Sequence, residues 1–328
     1  MATILVTGGA GYIGSHVALA LQERGHDPII LDNLSRGHRG VVERAMGKPI
    51  IVADTRDAMA LGEVFAKQHI DAVMHFAAFI EVGESVTNPL SFYDNNVHGT
   101  VTLLRAMHTA GIRHFVFSST CATYGAPQTV PIPEDHPQHP LSPYGQTKLV
   151  VERLLADCER AFALRSVIFR YFNAAGAHPN GRLGEDHHPE THLIPLVLDA
   201  AMGKRHSISI FGEDYDTPDG TCIRDYIHVS DLADAHVLGV EYLLAGNAST
   251  AVNLGNGRGY SVKDVIATAE RVTGTRIRVE RAARRPGDPP MLVGSSDRAK
   301  QLLRWSPRFP ELETIIAHAW AFHRTKSQ

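Results

Sequence analysis

Tyr144 and Lys148 stand at the ends of the run Tyr144-Gly145-Gln146-Thr147-Lys148. On a helix that spacing of four puts a phenol and an ammonium on the same face. A tyrosine ordinarily titrates near ~10, so it acts as a base around neutrality only where a nearby positive charge stabilises the phenolate. Such a pair can take a proton from a substrate hydroxyl and give it back. A tyrosine beside a helix lysine is also a common chance pairing, but this one follows the Pro143 turn directly. Ser118, Ser119 and Thr120 lie just beyond another apolar run. Thr120 is suited to share a hydrogen bond at the same substrate oxygen, while Ser118 and Ser119 can satisfy turn backbone groups.

A second chemical signal comes earlier, as Gly8-Gly9-x-Gly11-x-x-Gly14 between an apolar run and a helical pattern. Gly8 permits a tight turn, Gly11 a close approach to a pyrophosphate, and Gly14 close packing of helix on sheet. The helix start then offers unpaired N–H groups to the anion. Asp32 closes the next apolar run, where its carboxylate can accept from both adenosine ribose hydroxyls and repel a ribose phosphate. NAD is therefore expected as cofactor rather than NADP. Its cationic nicotinamide would join Lys148 in lowering the Tyr144 phenol, and Lys148 could also hold the nicotinamide ribose. Asp54 ends a further run and could reach the adenine edge, and Phe76, Ala77 and Ala78 follow the next one, where small residues let backbone approach a ligand.

These residues need a frame that brings them to one edge. Residues 4–7, 29–31, 50–53, 72–76, 114–118 and 166–169 read as strands, and a pattern after the glycine turn that continues toward Arg24, with residues 59–68, 96–110 and 144–155, as helices between them. Alternation of this kind predicts an α/β fold, a doubly wound parallel Rossmann-type sheet, with a smaller mixed α/β substrate-binding lobe. Composition changes after Tyr171, and residues 174–192 are rich in Gly, Pro, His and acidic side chains, which predicts an irregular crossing. Beyond it, helices are predicted at 194–201, 229–244, 262–273 and 312–323, and strands at 207–211, 251–254 and 277–279. The expected division is an NAD-binding part over residues 1–172 and a mainly substrate-binding part over 173–328, with 226–256 returning to the first.

The 328 residues carry 32 basic and 35 acidic side chains, a formal charge of -3, with 44% hydrophobic residues. That balance gives no general reason to expect nucleic acid or an anionic membrane as partner. No segment has the charge-free length of a membrane span, and the opening residues lack a secretory signal, so a cytoplasmic protein is expected. Cys121, Cys158 and Cys222 are too far apart for a compact zinc pattern, and no Cys/His arrangement makes Cys121 a nucleophile. Histidines number 19, yet His187, His188 and His192 fall in a loop without a recognisable ligand framework, so no metal is expected.

Read in order, TGGAGYIG, LDNLSRG around Asp32, HFAA at His75, NNVHGT at Asn95, SSTCATYG at Ser118, SPYGQTKL at Ser142, YFNAAGAHP, RDYIHVSDLA and RRPGDP cover nearly the whole chain. On these motifs the chain resembles the extended short-chain dehydrogenase/reductase family, and within it the bacterial UDP-glucose 4-epimerase group. The resemblance implies that Thr120, Tyr144 and Lys148 are catalytic. It implies a tightly retained NAD with Tyr12, Ile13, Asn33, Thr55, Asn95 and Phe172 around it. It gives the nucleotide sugar to Asn173, His192, Leu193, Phe211, Arg224, Arg285 and Asp288. The two arginines are suitable donors to a diphosphate, Asp288 to accept from the uridine ribose, and Phe211 to enclose the uracil. Ile80 stands where many relatives have a lysine, and His192 where many have asparagine.

The reaction so implied is reversible inversion of C4 between UDP-galactose and UDP-glucose, through a transient 4-keto sugar, in a homodimer. Leu292 matches the position that sets sugar-pocket width, so N-acetylhexosamine substrates stay open. Dehydratases of the family place Asp-Glu after the catalytic threonine and decarboxylases Ser-Glu. Here Cys121-Ala122 follows Thr120. An inactive NAD-binding regulatory protein is the non-enzymatic alternative, and the intact Thr120, Tyr144 and Lys148 set argues against it.

Overall fold

The computed structural model describes residues 1–285 and 288–325. In its first half the chain runs β1 (Thr3–Thr7), α1 (Tyr12–Glu23), β2 (Asp27–Asp32), α2 (Arg39–Met46), β3 (Ile50–Val52), α3 (Ala58–Lys67) and β4 (Ala72–His75). Two short helices, α4 (Val82–Thr87) and α5 (Pro89–Phe92), then a wide π turn (Tyr93–His98), lead into α6 (Gly99–Thr109) and β5 (His114–Thr120). A single 3-10 turn (Cys121–Thr123) precedes α7 (Pro143–Phe162) and β6 (Arg165–Tyr171). The rest is β7 (Asn173–Ala175), α8 (Leu193–Ala201), β8 (Ile208–Phe211), β9 (Ile223–His228), α9 (Val229–Leu244), β10 (Thr250–Leu254), β11 (Gly259–Ser261), α10 (Val262–Thr273), β12 (Val279–Ala282), β13 (Met291–Leu292), α11 (Asp297–Leu303) and α12 (Leu312–Thr325).

Among the described residues, seven strands form one parallel sheet in the order β10-β6-β5-β4-β1-β2-β3. Its central strands are buried on both faces, which is why they read as continuous apolar runs rather than alternating ones. Val17, Ala18 and Leu21 of α1 and Leu232, Val237 and Val240 of α9 share a core against one face. Leu61 and Val64 of α3, Leu103 and Met107 of α6, and Val151 and Leu155 of α7 share the core on the other. From β1 the chain winds outward to β2 and β3, then crosses to β4 and winds the opposite way. The reversal opens a crevice at the carboxyl ends of β1 and β4, the place where such sheets bind ligands.

The doubly wound parallel sheet and the smaller mixed region match the fold expected from the alternation. In the smaller region β9 is central, pairing parallel with β7 and β13 and antiparallel with β11. This strand escapes a reading by period because its sequence, IRDYIH, interrupts the apolar run with charges. Asp225 is nonetheless fully buried, since its carboxylate accepts the N–H groups of Asn256, Gly257 and Gly294 at 2.8, 3.1 and 3.3 Å. A helix over 96–110 is shortened to α6, and the predicted strand at 277–279 forms later as β12. Among the described residues no helix is long and apolar enough to cross a membrane.

Behind the ends of β5 and β6 lies a buried ion pair. Arg170 donates through Nη2 to Glu152 of α7 at 2.7 Å, and through Nη1 to the Tyr124 hydroxyl at 3.0 Å and the Glu134 carbonyl at 2.9 Å. Glu152 also accepts from Ser119 at 2.5 Å and Gln138 at 3.0 Å. Every charge in the group is paired, so the cost of burying it is met by geometry, and removing one partner strands the other. We predict that Glu152→Ala lowers unfolding free energy by about 3–5 kcal/mol, read from denaturant titration. A loss below ~1 kcal/mol would show that Arg170 finds water instead.

Candidate active site

The glycine turn is shaped by close contact. Gly8 has φ +70° and approaches the end of β4, where an added Cβ would lie 2.5 Å from Ala77 N. A Cβ on Gly14 would lie 2.2 Å from Gly8 O, so α1 can start this close to β1 only without a side chain there. Gly11 caps α1 without any side-chain hydrogen bond, which leaves the first N–H groups of the helix, at Tyr12 and Ile13, presented to an anion. The cradle fits a pyrophosphate. The Tyr12 phenol plays no part in it, since its hydroxyl donates to Gly176 O at 2.7 Å.

Asp32 sits at the end of β2, mostly buried, and burial pushes its carboxyl up. One oxygen accepts from Ala10 N at 3.0 Å and the other from Leu34 N at 2.8 Å. The carboxylate is thus held in one orientation and keeps lone pairs for a ribose hydroxyl. Asn33 donates to Asp54 at 2.8 Å, and Arg56 grips both Asp54 oxygens, holding that carboxyl well below its usual range. Thr55 is buried beside Gly99.

Beyond β4, Phe79 N donates to Asn96 Oδ1 at 2.8 Å, and Asn96 Nδ2 returns a bond to Phe79 O at 3.0 Å. Asn95 donates to the same Asn96 oxygen at 2.9 Å. Asn96, which spacing did not single out, therefore fixes the loop carrying Ala77 and Ala78. The π turn that displaces the expected helix start brings this side chain inward, and such turns occur often at functional sites. Ile80 is half-exposed at the far end of that loop.

Helix α7 starts at Pro143 with Ser142 as its cap, accepting from Gly145 N at 3.2 Å. Tyr144 therefore occupies the first turn, and Lys148 follows one turn later, both buried. A Cβ on Gly145 would fall 2.7 Å from Ala122 O, so this glycine lets the turn after Thr120 lie against the helix. Thr120 accepts from Ala122 N at 3.1 Å and its hydroxyl also reaches Tyr144. Lys148 Nζ donates to Ser118 O at 2.8 Å, 6.0 Å from the centre of the Tyr144 ring.

Burial dominates the electrostatics of the pair. Burial, then the Tyr171 hydroxyl, pushes the Tyr144 phenol well above its usual range, and Thr120 only partly opposes this. Burial pulls Lys148 down to about 7, against the pull of Glu152. The lysine donates to a backbone carbonyl, and the sequence expectation joins it to a cationic nicotinamide in lowering the phenol. Tyr171, hydrogen-bonded to Ser118, is a neighbour that spacing did not reveal. Cys121 beside them is pushed up to about 12 by burial, which leaves it a poor nucleophile.

Of the expected nucleotide-sugar residues, Arg224, Asp288 and Asn173 meet at β9, while Phe211 with Arg285 and His192 with Leu193 form separate groups. Arg224 pairs with Asp288 at 2.9 Å, and Arg285 lies over the Phe211 ring at 4.0 Å. Asn173 donates to Asp225 O at 3.1 Å. Phe172 packs with Tyr124 and Ile132, and Leu292 lies against this cluster, in register with Arg224. Leu193 begins α8, and His192 just before it meets Glu185 at 2.5 Å.

Residues 4–255 match the pattern of the NAD dependent epimerase/dehydratase family. The UDP-glucose 4-epimerase of Rhizobium leguminosarum bv. trifolii is 54% identical over 326 residues, 99% of this chain and 98% of the relative. A crystal structure of UDP-glucose 4-epimerase from Brucella ovis in complex with NAD is similar at a TM-score of 0.95 and 47% identity, covering 98% of this chain and 99% of that one. Another, from Bifidobacterium longum in complex with NAD⁺ and UDP, is similar at 0.94 and 38%, covering 99% of each.

The raised phenol gives a measurable consequence. In the chain without bound ligand, the ultraviolet difference between wild type and Tyr144→Phe should show no phenolate up to pH ~10, where an ordinary tyrosine is half ionised. Phenolate absorbance already at neutral pH would mean that Lys148 does lower Tyr144 unaided.

Proposed function

We infer that this chain, which belongs to the NAD dependent epimerase/dehydratase family, is an isomerase that reversibly inverts C4 of UDP-galactose and UDP-glucose through a transient 4-keto sugar. The observation that carries the reading is the joining of Thr120, Tyr144 and Lys148 at the strand ends beside the Gly8 to Gly14 cradle. Whole-length identity of 54% to a UDP-glucose 4-epimerase supports it. Bound NAD supplies a hydride acceptor and donor, so the reaction has no net redox change.

On this reading the N–H groups after Gly11 bind the pyrophosphate, aided by Gly8, Tyr12, Ile13 and Gly14, and Asp32 binds the adenosine ribose. Asn33, Asp54, Thr55, Phe76, Ala77, Ala78, Asn95 and Phe172 line the remainder of the cofactor path. Lys148 holds the nicotinamide ribose while tethered to Ser118 O. Tyr144 Oη takes the proton from the sugar 4-hydroxyl and returns it on the opposite face, with Thr120 hydrogen-bonded at the same oxygen. Placed in the first turn of α7, the phenolate also meets the positive end of the helix. A cation near the ring lowers the phenol further, and the nicotinamide of NAD⁺ is the group that brings one.

Arg224 and Arg285 bind the diphosphate, Asp288 the uridine ribose and Phe211 the uracil, with Asn173, His192 and Leu193 completing the wall. Anchoring at the diphosphate leaves the sugar free to turn. Cys121 and Ala122 provide no acid for water elimination, which favours epimerisation over dehydration. The two-part organisation follows, with residues 1–172 and 226–256 serving the cofactor and the rest the sugar nucleotide. A cytoplasmic homodimer fits the family, and a dimer mass in sedimentation equilibrium checks that assembly.

Given UDP-galactose and no added reductant, the purified protein should form UDP-glucose and retain its NAD. A 4-keto-6-deoxy product would make it a dehydratase. Tyr144→Phe should fold normally and lose about 10²–10⁴-fold in kcat, and near-normal turnover would remove Tyr144 from the acid/base role. Leu292→Tyr should lower kcat/KM for UDP-N-acetylgalactosamine relative to UDP-galactose by about 10–200-fold. An unchanged ratio would place the width-setting residue elsewhere.

A further inference from the structure

Residues 185–192 bring together four side chains that neither the catalytic set nor the diphosphate anchor needs as a group. Glu185, His187, Glu190 and His192 each turn one ligand atom inward, and those atoms all lie within 4.8 Å of one another. The spacing Glu-x-His-x-x-Glu-x-His has no helix or strand period, which is why it reads as an unstructured loop. Folding makes it a four-donor cage instead.

We propose that Glu185, His187, Glu190 and His192 form a binding site for one zinc-class divalent cation, a structural clip that closes this loop over the start of α1. Two imidazoles and two carboxylates are a donor set for such an ion in tetrahedral coordination. Bonds of about 2.0–2.2 Å put tetrahedral ligand atoms about 3.3–3.6 Å apart. His187 Nδ1 lies 3.2 Å from Glu185 Oε1 and 3.8 Å from Glu190 Oε2, and His192 Nδ1 3.6 Å from Glu190 Oε1. The contact of 2.5 Å between His192 and Glu185 must open, and the widest separations, within 4.8 Å, must close.

A second observation points the same way. The buried His187 Nδ1 faces both carboxylates without a well-formed hydrogen bond to either, so a ligand atom already points into the cage without a settled partner. Two neutral imidazoles, two carboxylates and a dication sum to zero charge, which suits a half-buried site. His192 is partly exposed and gives an entry path. Without a metal, protons are the competing occupants: burial disfavours charge on His187, but Glu185 and Glu190 outweigh it and raise the imidazole to about 10.

The clip would act on the cofactor lobe. His187 meets the Tyr12 ring edge-on at 6.0 Å. From the turn after Asp32, Arg36 donates to His188 O at 3.0 Å and His38 to Asp186 O at 2.7 Å. Fixing residues 185–192 therefore fixes the wall beside both the glycine turn and the adenosine end.

The test uses the full-length protein without a polyhistidine tag, dialysed with zinc sulfate and then against metal-free buffer. Elemental analysis should find close to one zinc per chain, and titration calorimetry a micromolar or tighter Kd. Zinc should raise Tm by linkage. The double variant His187→Ala, Glu190→Gln should retain none. Should that variant fold poorly, Glu190→Gln alone should weaken zinc at least about tenfold. Added cobalt(II) should give wild type the strong visible absorption of a tetrahedral centre. No retained zinc in the wild type, or equal zinc in the variants, would overturn the site.

Discussion

Lys148 donating to the carbonyl of Ser118 is the contact on which the candidate site turns. It joins α7, which carries Tyr144, to the end of β5, which carries Thr120, so the phenol and the hydroxyl keep their relative place. The ammonium is buried over the Phe117 ring at 5.0 Å, and burial brings its titration to about 7. A lysine poised in this way gains from any carboxylate nearby, and Glu152 one turn further along α7 is the one that raises it. Glu152 in turn is held by Arg170 and Ser119. Catalytic geometry and the buried ion pair behind it are therefore one connected network, in which each charge depends on the next.

The same economy governs the cofactor side. The glycine turn works because helix and strand touch there, and no side chain competes for the N–H groups at the start of α1. Asp32 is ordered by two backbone donors before any ligand arrives. Pre-ordered groups lose little entropy on binding, which suits the proposed NAD site. Tyr144 contrasts with this. Burial raises its phenol, and on the proposed reading a cationic nicotinamide opposes that rise.

Local features were legible in the sequence and distant ones were not. Gly8 to Gly14, Asp32, and the spacing of Tyr144 and Lys148 mark the candidate site in the sequence because each one's neighbours lie within a turn or at the end of the same strand. The parallel sheet was legible because its strands are buried on both faces. Asn96 was not, since its work depends on Phe79 and a π turn that breaks helical period. Arg170 and Glu152 are 18 residues apart and carry no pattern that marks them as a pair. Tyr171 looks like an ordinary strand end until the sheet places it beside Ser118. Spacing also gives Tyr144 and Lys148 a shared face, but not which acceptor the ammonium chooses, here the Ser118 carbonyl.

The small sheet around β9 explains how anchoring and selection can be set together. Arg224 stands in register with Leu292, so the residue proposed for the diphosphate and the one proposed for pocket width are adjacent rungs. Arg224 is already held by Asp288 at 2.9 Å, and Arg285 rests on the Phe211 face. A diphosphate must replace or share these partners, so part of its charge attraction is offset by contacts given up. Because both guanidinium groups are ordered in advance, less entropy is lost when they bind. The handle can then be firm without close contacts to the hexose, and a hexose held mainly through its handle is free to present either face of C4 to the same phenol.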